Sequence, residues 1–235
     1  MIPKTIHYCW FGRNPLPKSA KDCIASWKKF LPGYEIKEWN EDNFDVNIIP
    51  YTKDAYAAKK YAFVSDYARF WVLYHYGGLY FDTDVEVIRP IDDLINKGAF
   101  MGWDILGEGA SICPGLGLGV DKNHPIYKEI LDTYQSTMKF YAEDGTRSSF
   151  TMIPMVSGLL EKYGLKRDGS LQTIKDITIY PFDYFNPYDY LIGELNKTKN
   201  TRTIHWYSMS WYNWRQKAKL FLSMHLRKFI HKLKK

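Results

Sequence analysis

The chain has 235 residues, which suits one α/β domain with a sizeable core, or such a domain with a small appendage. No apolar run approaches the ~20 residues that a membrane span needs, and no charged segment followed by an apolar core indicates a signal peptide. The formal net charge is +6, and residues 214–235 alone contribute +8 from eight Lys and Arg. Residues 1–213 therefore carry about −2, which argues against a nucleic-acid-binding protein.

The first 60 residues alternate strand and helix patterns. An apolar, β-prone stretch over residues 5–11 is followed at once by Gly12 and predicts the first strand, with Trp10 near its end. Three more elements are predicted in order: a helix that Ser19 caps and that runs to about Phe30, a strand over 34–39 and a helix over 53–61. This alternation predicts a Rossmann-like half, as in nucleotide-binding α/β proteins.

A buried helix followed by an acidic strand end forms the centre of the chain. Residues 62–76 contain no Gly or Pro and carry aromatic residues at helical spacing, until residues 77 and 78, both Gly, end the helix. A short strand over 79–81 then leads to Asp82 and Asp84, at the end of the strand where open α/β sheets bind ligands. Alternation puts both carboxylates on one side, where they can share a divalent metal that neutralises a diphosphate.

One charged pair lies on the otherwise aromatic face of that helix. Asp66 and Arg69 are three residues apart, so their side chains are neighbours. Two interpretations stay open from spacing alone: an ion pair that stabilises the helix, or two groups that hold a sugar in the same pocket as Asp82 and Asp84.

The second half is predicted to complete the sheet. The predicted elements are a strand from 85 to 89, a turn or short helix at 92–94, a strand over 100–103, a glycine-rich strand over 115–120, helices over 126–140 and 155–163, and strands at 177–180 and before His205. Asp104 is interpreted as a loop carboxylate, with an acceptor-facing role as the alternative. The aromatic stretch 181–190 is either a carbohydrate platform or a packed loop.

Several motifs together resemble one enzyme family. The segments SDxxR at 65–69 and YGGLYFDTD at 76–84 resemble the core of the sugar-binding-region glycosyltransferases with a DXD motif, glycosyltransferase family 32. That family includes yeast outer-chain mannosyltransferases and many bacterial capsule enzymes, and the glucosylating toxins are similar at the same motifs. IPKTIHYCWFG at 2–12 and HWxxxSW at 205–211 resemble it too, so the motifs span nearly the whole chain in the expected order.

The resemblance implies a GT-A-like fold, an α/β Rossmann-type mixed sheet flanked by helices. It implies Mn²⁺ or Mg²⁺ on Asp84, with Asp82 more indirectly engaged and His205 closing the metal site. It also implies a donor-binding set in which Trp10 stacks on the base, Asp66 and Arg69 hold the sugar with Asp82 nearby, and Ser210 and Trp211 contact the β-phosphate side.

The function that this resemblance implies is metal-dependent transfer of a sugar with retention of configuration. The donor is expected to be a nucleotide-sugar, with UDP-sugars favoured and GDP-mannose open. The acceptor is expected to be a growing cell-surface polysaccharide such as a capsule, on a lipid carrier. One departure from the family is TMIP at 151–154, where many members have a Thr-Gly-Pro turn.

Two other classes of function are weighed against this one. A haloacid-dehalogenase-like phosphatase uses the first of two aspartates as a nucleophile, but such enzymes have Thr or Val two residues beyond the second aspartate, where this chain has Glu86. A non-catalytic glycan- or membrane-binding protein of the same fold has little need of a metal, and the intact acidic set weighs against it.

The C-terminal segment differs from everything before it. Residues 214–235 place apolar side chains at helical spacing with lysines opposite, which predicts a basic amphipathic helix after a catalytic domain at 1–213. Such a helix suits the anionic inner face of a membrane; the alternative is a helix docked on the catalytic domain. The three cysteines (Cys9, Cys23 and Cys113) are odd in number and lack metal-ligand spacing, which predicts a reducing compartment, so we expect a cytoplasmic, membrane-peripheral protein.

Overall fold

A computed structural model describes residues 1–106, 109–149, 151–208, 215, 219, 223 and 224. The strands are β1 (Thr5–Cys9), β2 (Glu35–Trp39), β3 (Gly78–Tyr80), β4 (Val85–Val87), β5 (Phe100–Leu106), β6 (Gly109–Ile112), β7 (Leu118–Val120), β8 (Gln172–Ile174), β9 (Ile177–Tyr180), β10 (Tyr188–Asp189), β11 (Glu194–Leu195) and β12 (Thr203–His205). The helices are α1 (Lys18–Phe30), α2 (Pro50–Ala57), α3 (Tyr61–Tyr76), α4 (Asp92–Ile95), α5 (Pro125–Ser136), α6 (Met152–Glu161) and α7 (Phe182–Phe185).

Among these residues, eight strands form one mixed sheet in the order β2-β1-β3-β7-β5-β9-β8, with β6 paired to β5. Strands β2, β1 and β3 run parallel, and helices connect them, as parallel strands require. Strand β7 is antiparallel to both β3 and β5, so it joins this parallel half to the parallel pair β5–β9. The predicted Rossmann-type mixed sheet with flanking helices is confirmed.

Most predicted elements are present. Their observed ends differ from the predicted ones where a proline begins a helix or where pairing with another strand extends a strand. Helix α1 begins at Lys18 after Pro17, and no side chain caps it, so Ser19 lies inside the helix and is not its cap. Helix α2 begins at Pro50, whose missing N–H costs nothing in the first turn. Helix α3 ends at Tyr76, followed by Gly77 at φ 67°, as the glycine pair predicted.

Two segments of the second half differ from the sequence-based interpretation. Asp104 is not a loop carboxylate, because β5 continues through it and only 2% of its surface is exposed. In the aromatic stretch 181–190, Phe185 is fully buried and stacks on Phe100 with ring centroids 5.3 Å apart. That part of the stretch is therefore packing under the sheet, while Phe182 is 39% exposed.

A separate two-stranded ribbon carries His205. Strand β12 pairs antiparallel with β4, and His205 lies opposite Val85 in that register. In the part of the chain that the structure describes, no helix is long and apolar enough to cross a membrane. The predicted helix over 214–235 lies largely outside the described residues; Met224, which is described, has its Cε 3.4 Å from where a Cβ on Gly193 would be. The domain boundary at 213 stays a prediction.

A buried histidine beneath α3 makes the stability of the fold depend on pH. The Trp39 indole N–H donates to His7 Nδ1 at 3.0 Å, so the ring proton is on Nε2, which donates to the Gly77 carbonyl at 3.0 Å. A second proton on His7 would have to sit on Nδ1, where it would point at the indole N–H of Trp39 and break that hydrogen bond. Burial, opposed by the Gly77 bond and assisted by Lys37, lowers the pKa of His7 to about 4.

We expect His7 to destabilise the fold in mild acid. The unfolded chain takes up its proton near pH 6.5 but the native state only near pH 4, so the contribution is full above 6.5 and is lost as the pH falls towards 4. The loss amounts to about 3 kcal/mol in the free energy of unfolding. Denaturant titrations between pH 4 and 7 should show a shallower pH dependence for His7→Gln than for the wild type. Parallel curves for the two proteins would contradict this assignment.

Candidate active site

The two aspartates lie in the tight turn between β3 and β4. The Val85 N–H donates to the Asp82 carbonyl at 3.0 Å, and the Asp82 N–H donates to the Gly115 carbonyl at 3.3 Å. The turn is thus held on one side by its own backbone and on the other by the segment before β7. This fixed backbone presents both carboxylates at the carboxyl end of β3, beside the end of β1.

A potential metal-binding cluster forms around that turn. One ligand atom from each of Asp82, Asp84 and His205 lies within 4.8 Å of the others. That spread is close to twice a metal–ligand bond of about 2.1–2.3 Å, and two carboxylates with one imidazole suit Mn²⁺ and Mg²⁺ better than softer ions. The residues therefore fit a divalent cation, and the structure brings together the three positions predicted as its ligands.

Asp84 is the member of this cluster that contacts residues 205–208. Its Oδ1 lies 3.1 Å from His205 Nε2, and its Oδ2 accepts the Ser208 N–H at 2.8 Å. Its backbone carbonyl accepts the Trp206 N–H at 2.9 Å. Three residues of the segment 205–208 therefore contact Asp84.

The charges of this cluster are strongly coupled. Burial alone raises the pKa of Asp84, but His205 and the Ser208 N–H outweigh it and hold that pKa below its usual range. Burial alone lowers the pKa of His205, but the Asp84 carboxylate outweighs it and raises that pKa. A protonated His205 and an ionised Asp84 thus stabilise each other. Because a neutral imidazole is the form that binds a cation, protonation of His205 would compete with metal binding.

Arg69 links the helix to the aspartate turn. Its side chain is 3% exposed, and Nη2 donates to Asp66 Oδ1 at 2.9 Å and lies 3.1 Å from Asp82 Oδ1. Its Nε donates to the Ser65 carbonyl at 3.2 Å, while Nη1 is buried without a partner among the described residues. Arg69 thus pairs with Asp66 on the helix and also reaches the turn that carries Asp82. That the pair holds a sugar stays a prediction.

Burial also makes the carboxylates around Arg69 weaker acids. Desolvation raises the pKa of Asp66 to about 7, although Arg69 opposes it, and Asp82 adds to the rise. Desolvation raises the pKa of Asp82 as well, against Arg69 and His205. The Tyr80 hydroxyl donates to Asp82 Oδ1 at 2.9 Å, so that oxygen already holds two donors.

Trp10 lies at the other end of the site. Its indole N–H donates to the Asn14 carbonyl at 2.6 Å, which fixes the ring at the end of β1. A cleft of about 180 Å³ opens between this ring and the aspartate turn. Its lining residues are Trp10, Pro17, Ser19, Ala20, Thr83, Asp84 and Ser208. An aromatic ring and an acidic turn thus face one space, as binding of a base and a metal diphosphate requires.

Comparison with known sequences identifies the region that carries these groups. A sequence model of the family described as "Glycosyltransferase sugar-binding region containing DXD motif" matches residues 17–101, which include Asp66, Arg69, Asp82 and Asp84. Residues 17–101 are therefore similar to this sugar-binding region, in agreement with the family that the motifs resemble.

Named relatives agree with that family. Inositol phosphoceramide mannosyltransferase 1 of Schizosaccharomyces pombe is 29% identical over 111 residues, covering 43% of this chain and 33% of the relative. Inositol phosphoceramide mannosyltransferase 2 of the same organism is 27% identical over 169 residues, covering 69% of this chain and 47% of the relative. The chain thus spans between a third and about half of the length of these relatives. The matches favour a glycosyltransferase over the phosphatase alternative.

A solved structure agrees at the level of the fold. The PaToxG glycosyltransferase superposes with a TM-score of 0.50 at 21% sequence identity, over 68% of this chain and 69% of that one. At this identity the likeness concerns the fold, and it is consistent with the GT-A-like arrangement of the sheet.

Outside the matched region, the predicted glycosyltransferase residues have different outcomes. Trp10 and His205 lie beside the turn that carries Asp82 and Asp84 (the DXD turn), as described above. Ser210 and Trp211, predicted to contact the β-phosphate side, lie outside the described residues. Their role stays a prediction.

Three contributors to the sugar-binding region escaped the sequence analysis. Ser208 acts through its backbone N–H, for which no sequence pattern exists. Tyr80 precedes Asp82 by two residues, so strand alternation would have placed its hydroxyl on the same face. Gly115 packs so closely on the DXD turn that an added Cβ would overlap Asp82 Oδ2 and lie 3.5 Å from Arg69 Nη1.

Gly115→Ala should therefore disturb the DXD turn specifically. The new methyl group must push the Asp82 carboxylate away from Arg69, and a displacement of about 1 Å in a positioned group lowers turnover on the order of 10²-fold. We expect that loss in donor hydrolysis, together with weaker Mn²⁺ binding measured by calorimetry. Gly33→Ala is the matched control, since a Cβ there meets nothing within 4 Å. Equal kinetics for the two variants would show that Asp82 tolerates the shift.

Proposed function

We propose that the chain is a metal-dependent glycosyltransferase that moves a sugar from a nucleotide-sugar donor to a glycan acceptor. One observation carries the proposal: within and beside the matched sugar-binding region, two carboxylates and an imidazole gather within 4.8 Å of one another, next to a buried arginine and an aromatic-lined cleft. Such a set binds a metal diphosphate and a sugar at once.

The metal site would be held by Asp84 and His205, with Asp82 engaged more indirectly because its Oδ1 already receives Arg69 and Tyr80. Mn²⁺ is the first choice because it accepts both imidazole and carboxylate ligands, and Mg²⁺ is the second. A bound ion supplies positive charge opposite the leaving diphosphate. The Ser208 N–H lines the cleft beside Asp84. It now donates to Asp84 Oδ2, and it can donate to a phosphate oxygen instead when the donor binds.

The donor's other parts have their own partners. Trp10 offers its ring to the base, and the cleft leads from that ring to Asp84. Arg69 is held at a fixed angle by Ser65 and Asp66, and its buried Nη1 has no partner among the described residues, so it can donate to a sugar hydroxyl. Asp66 keeps 15% of its side chain exposed and can accept from another hydroxyl. Retention of configuration, and so an α-linked product, remains our expectation.

The identity of the sugar and of the acceptor rests on the relatives' names. Those relatives are named as mannosyltransferases of inositol phosphoceramide, which favours mannose as the transferred sugar and a lipid-linked acceptor. GDP-mannose is therefore as strong a candidate for the donor as the UDP-sugars that the resemblance favours. A growing cell-surface polysaccharide on a lipid carrier is the second acceptor class.

A donor screen tests this function. Purified protein is incubated with UDP- and GDP-sugars in the presence and absence of Mn²⁺, and release of nucleoside diphosphate is measured. Slow, metal-dependent hydrolysis of one donor is the expected result. Phosphate release from sugar phosphates instead would favour the phosphatase class, and metal-independent glycan binding without hydrolysis would favour a binding protein.

We further propose that residues 214–235 hold the enzyme at the anionic cytoplasmic face of a membrane, where a lipid-linked acceptor lies. The segment carries eight Lys and Arg with no acid. Each such charge near an anionic surface contributes about 1 kcal/mol, and an apolar face adds to it.

Truncation after Asn213 tests the membrane proposal. The shortened protein should stay folded and hydrolyse donor, yet no longer sediment with vesicles containing phosphatidylserine. The full chain should sediment with them at low salt and be partly released at high salt, because salt screens the attraction. Unfolding of the shortened chain would assign the segment to the core, and full-length protein that ignores the vesicles would refute membrane binding.

A further inference from the structure

Tyr207 has an unusual backbone conformation beside the metal site. It follows His205 and Trp206, and its φ of 47° lies in the left-handed region, which residues other than glycine rarely adopt. A conformation of this kind costs of order 1 kcal/mol or more, and it persists only where surrounding contacts hold it in place. Its ring packs against Tyr190 and His205, and its hydroxyl makes polar contacts with two buried side chains.

The hydroxyl is anchored in the main sheet. It donates to Asp104 Oδ2 at 2.6 Å and accepts from Asn186 Nδ2 at 2.6 Å. Asn186 Nδ2 also donates to Asp104 Oδ1 at 2.7 Å, which closes a triangle of three side chains. Asp104 is 2% exposed and Asn186 is 6% exposed, so the triangle is shielded from water. Burial and the Asp104 carboxylate raise the pKa of Tyr207, which keeps its hydroxyl a donor.

The residues on either side of Tyr207 contact Asp84. His205 presents Nε2 to Asp84 Oδ1, and its ring lies 4.1 Å from the Tyr207 ring between centroids. The Trp206 and Ser208 N–H groups donate to the Asp84 carbonyl and to Oδ2. Fixing Tyr207 therefore helps to fix these three groups against Asp84.

We propose that Tyr207 is a positioning residue, whose anchor on Asp104 and Asn186 holds residues 205–208 in the geometry that presents His205 to a metal on Asp84. The inference rests on the proposed function, and it gives Asp104 a role: this buried carboxylate connects β5 to the metal site. Partners that orient a metal ligand commonly contribute 10- to 100-fold to metal affinity.

Tyr207→Phe removes the hydroxyl and keeps the ring against His205. We expect Mn²⁺ affinity, measured by calorimetry on full-length protein, to fall about 10- to 100-fold. We also expect amide hydrogen exchange in a peptide covering 205–208 to rise at least tenfold without metal, because the turn is released. Tyr127→Phe is the matched control: it removes another buried hydroxyl, one with no partner among the described residues, from a helix away from the site.

Each outcome separates this inference from the proposed function. Faster exchange in 205–208 with weakened Mn²⁺ binding supports both. Wild-type protein that binds no Mn²⁺ refutes the metal-dependent function, and the exchange measurement still decides whether Tyr207 holds the turn. Unchanged exchange and unchanged Mn²⁺ affinity in Tyr207→Phe, relative to Tyr127→Phe, overturn the inference. A variant that is merely less stable would show faster exchange throughout the sheet, and that result also overturns it.

Discussion

Asp84→Asn is expected to abolish turnover while leaving the fold intact. An amide cannot supply the negative charge that holds a divalent cation against a diphosphate, so transition-state stabilisation should fall by several kcal/mol, on the order of 10²-fold or more in rate. Calorimetry should show that Mn²⁺-dependent binding of UDP or GDP weakens in parallel. The raised pKa of His205 should also fall, because the Asp84 carboxylate is what raises it.

The control for this variant is another paired aspartate. Asp132→Asn removes a carboxylate bound to Lys128 on the surface of α5, an exposed pair that contributes little to stability. It should retain donor hydrolysis and metal binding. Undiminished Mn²⁺-dependent nucleotide binding in Asp84→Asn would remove Asp84 from the metal site and with it the basis of the proposed mechanism.

Arg69→Lys is expected to lower activity on the order of 10²-fold, because lysine keeps the charge but loses the planar fork. The guanidinium donates to the Ser65 carbonyl and to Asp66, and it forms an ion pair with Asp82 at 3.1 Å. An ammonium at the end of a flexible chain cannot reproduce that geometry. Activity per folded molecule is the quantity to measure, since Arg69 also braces α3. We expect a small fall in melting temperature beside a large fall in kcat/KM.

A matched arginine separates the two effects. Arg167 makes two bonds to Glu161 at the surface, through Nε at 2.7 Å and Nη2 at 3.1 Å. Arg167→Lys should therefore change neither activity nor stability appreciably. If Arg69→Lys lowers mainly the melting temperature and its folded fraction retains full specific activity, the Asp66–Arg69 pair acts only as a brace of the helix.

The elements predicted best are those whose signals are local. Helix α3 ends where predicted because residues 77 and 78 are both glycine, and Gly77 adopts the positive φ that glycine permits. Strand β9 coincides with its prediction, since a short β-branched run stands between polar residues and a proline. The start of α1 was missed by two residues because Pro17, and not Ser19, occupies the N-cap position.

The position of Asp104 shows where local signals fail. A carboxylate after an apolar run indicates a strand end, yet β5 continues because β6 pairs with it, Trp103 opposite Ile112. Burying that carboxylate requires hydrogen-bond donors, and these come from Asn186 and Tyr207, 82 and 103 residues further along the chain. No pattern around position 104 contains that information.

The sequence by itself determined the resemblance to the DXD glycosyltransferases, the helix–turn–strand unit from 61 to 87 and the two aspartates in its turn, because glycine, aromatic spacing and alternation act between near neighbours. The resemblance also implied His205 at this site, but only the tertiary structure decided how His205 reaches the aspartates and that the Ser208 N–H accompanies it. His205 and Ser208 lie more than 120 residues beyond Asp84, and the antiparallel pairing of β12 with β4 brings them to it. Strand pairing of that kind depends on backbone hydrogen bonds between distant segments, which single-sequence periodicity does not encode.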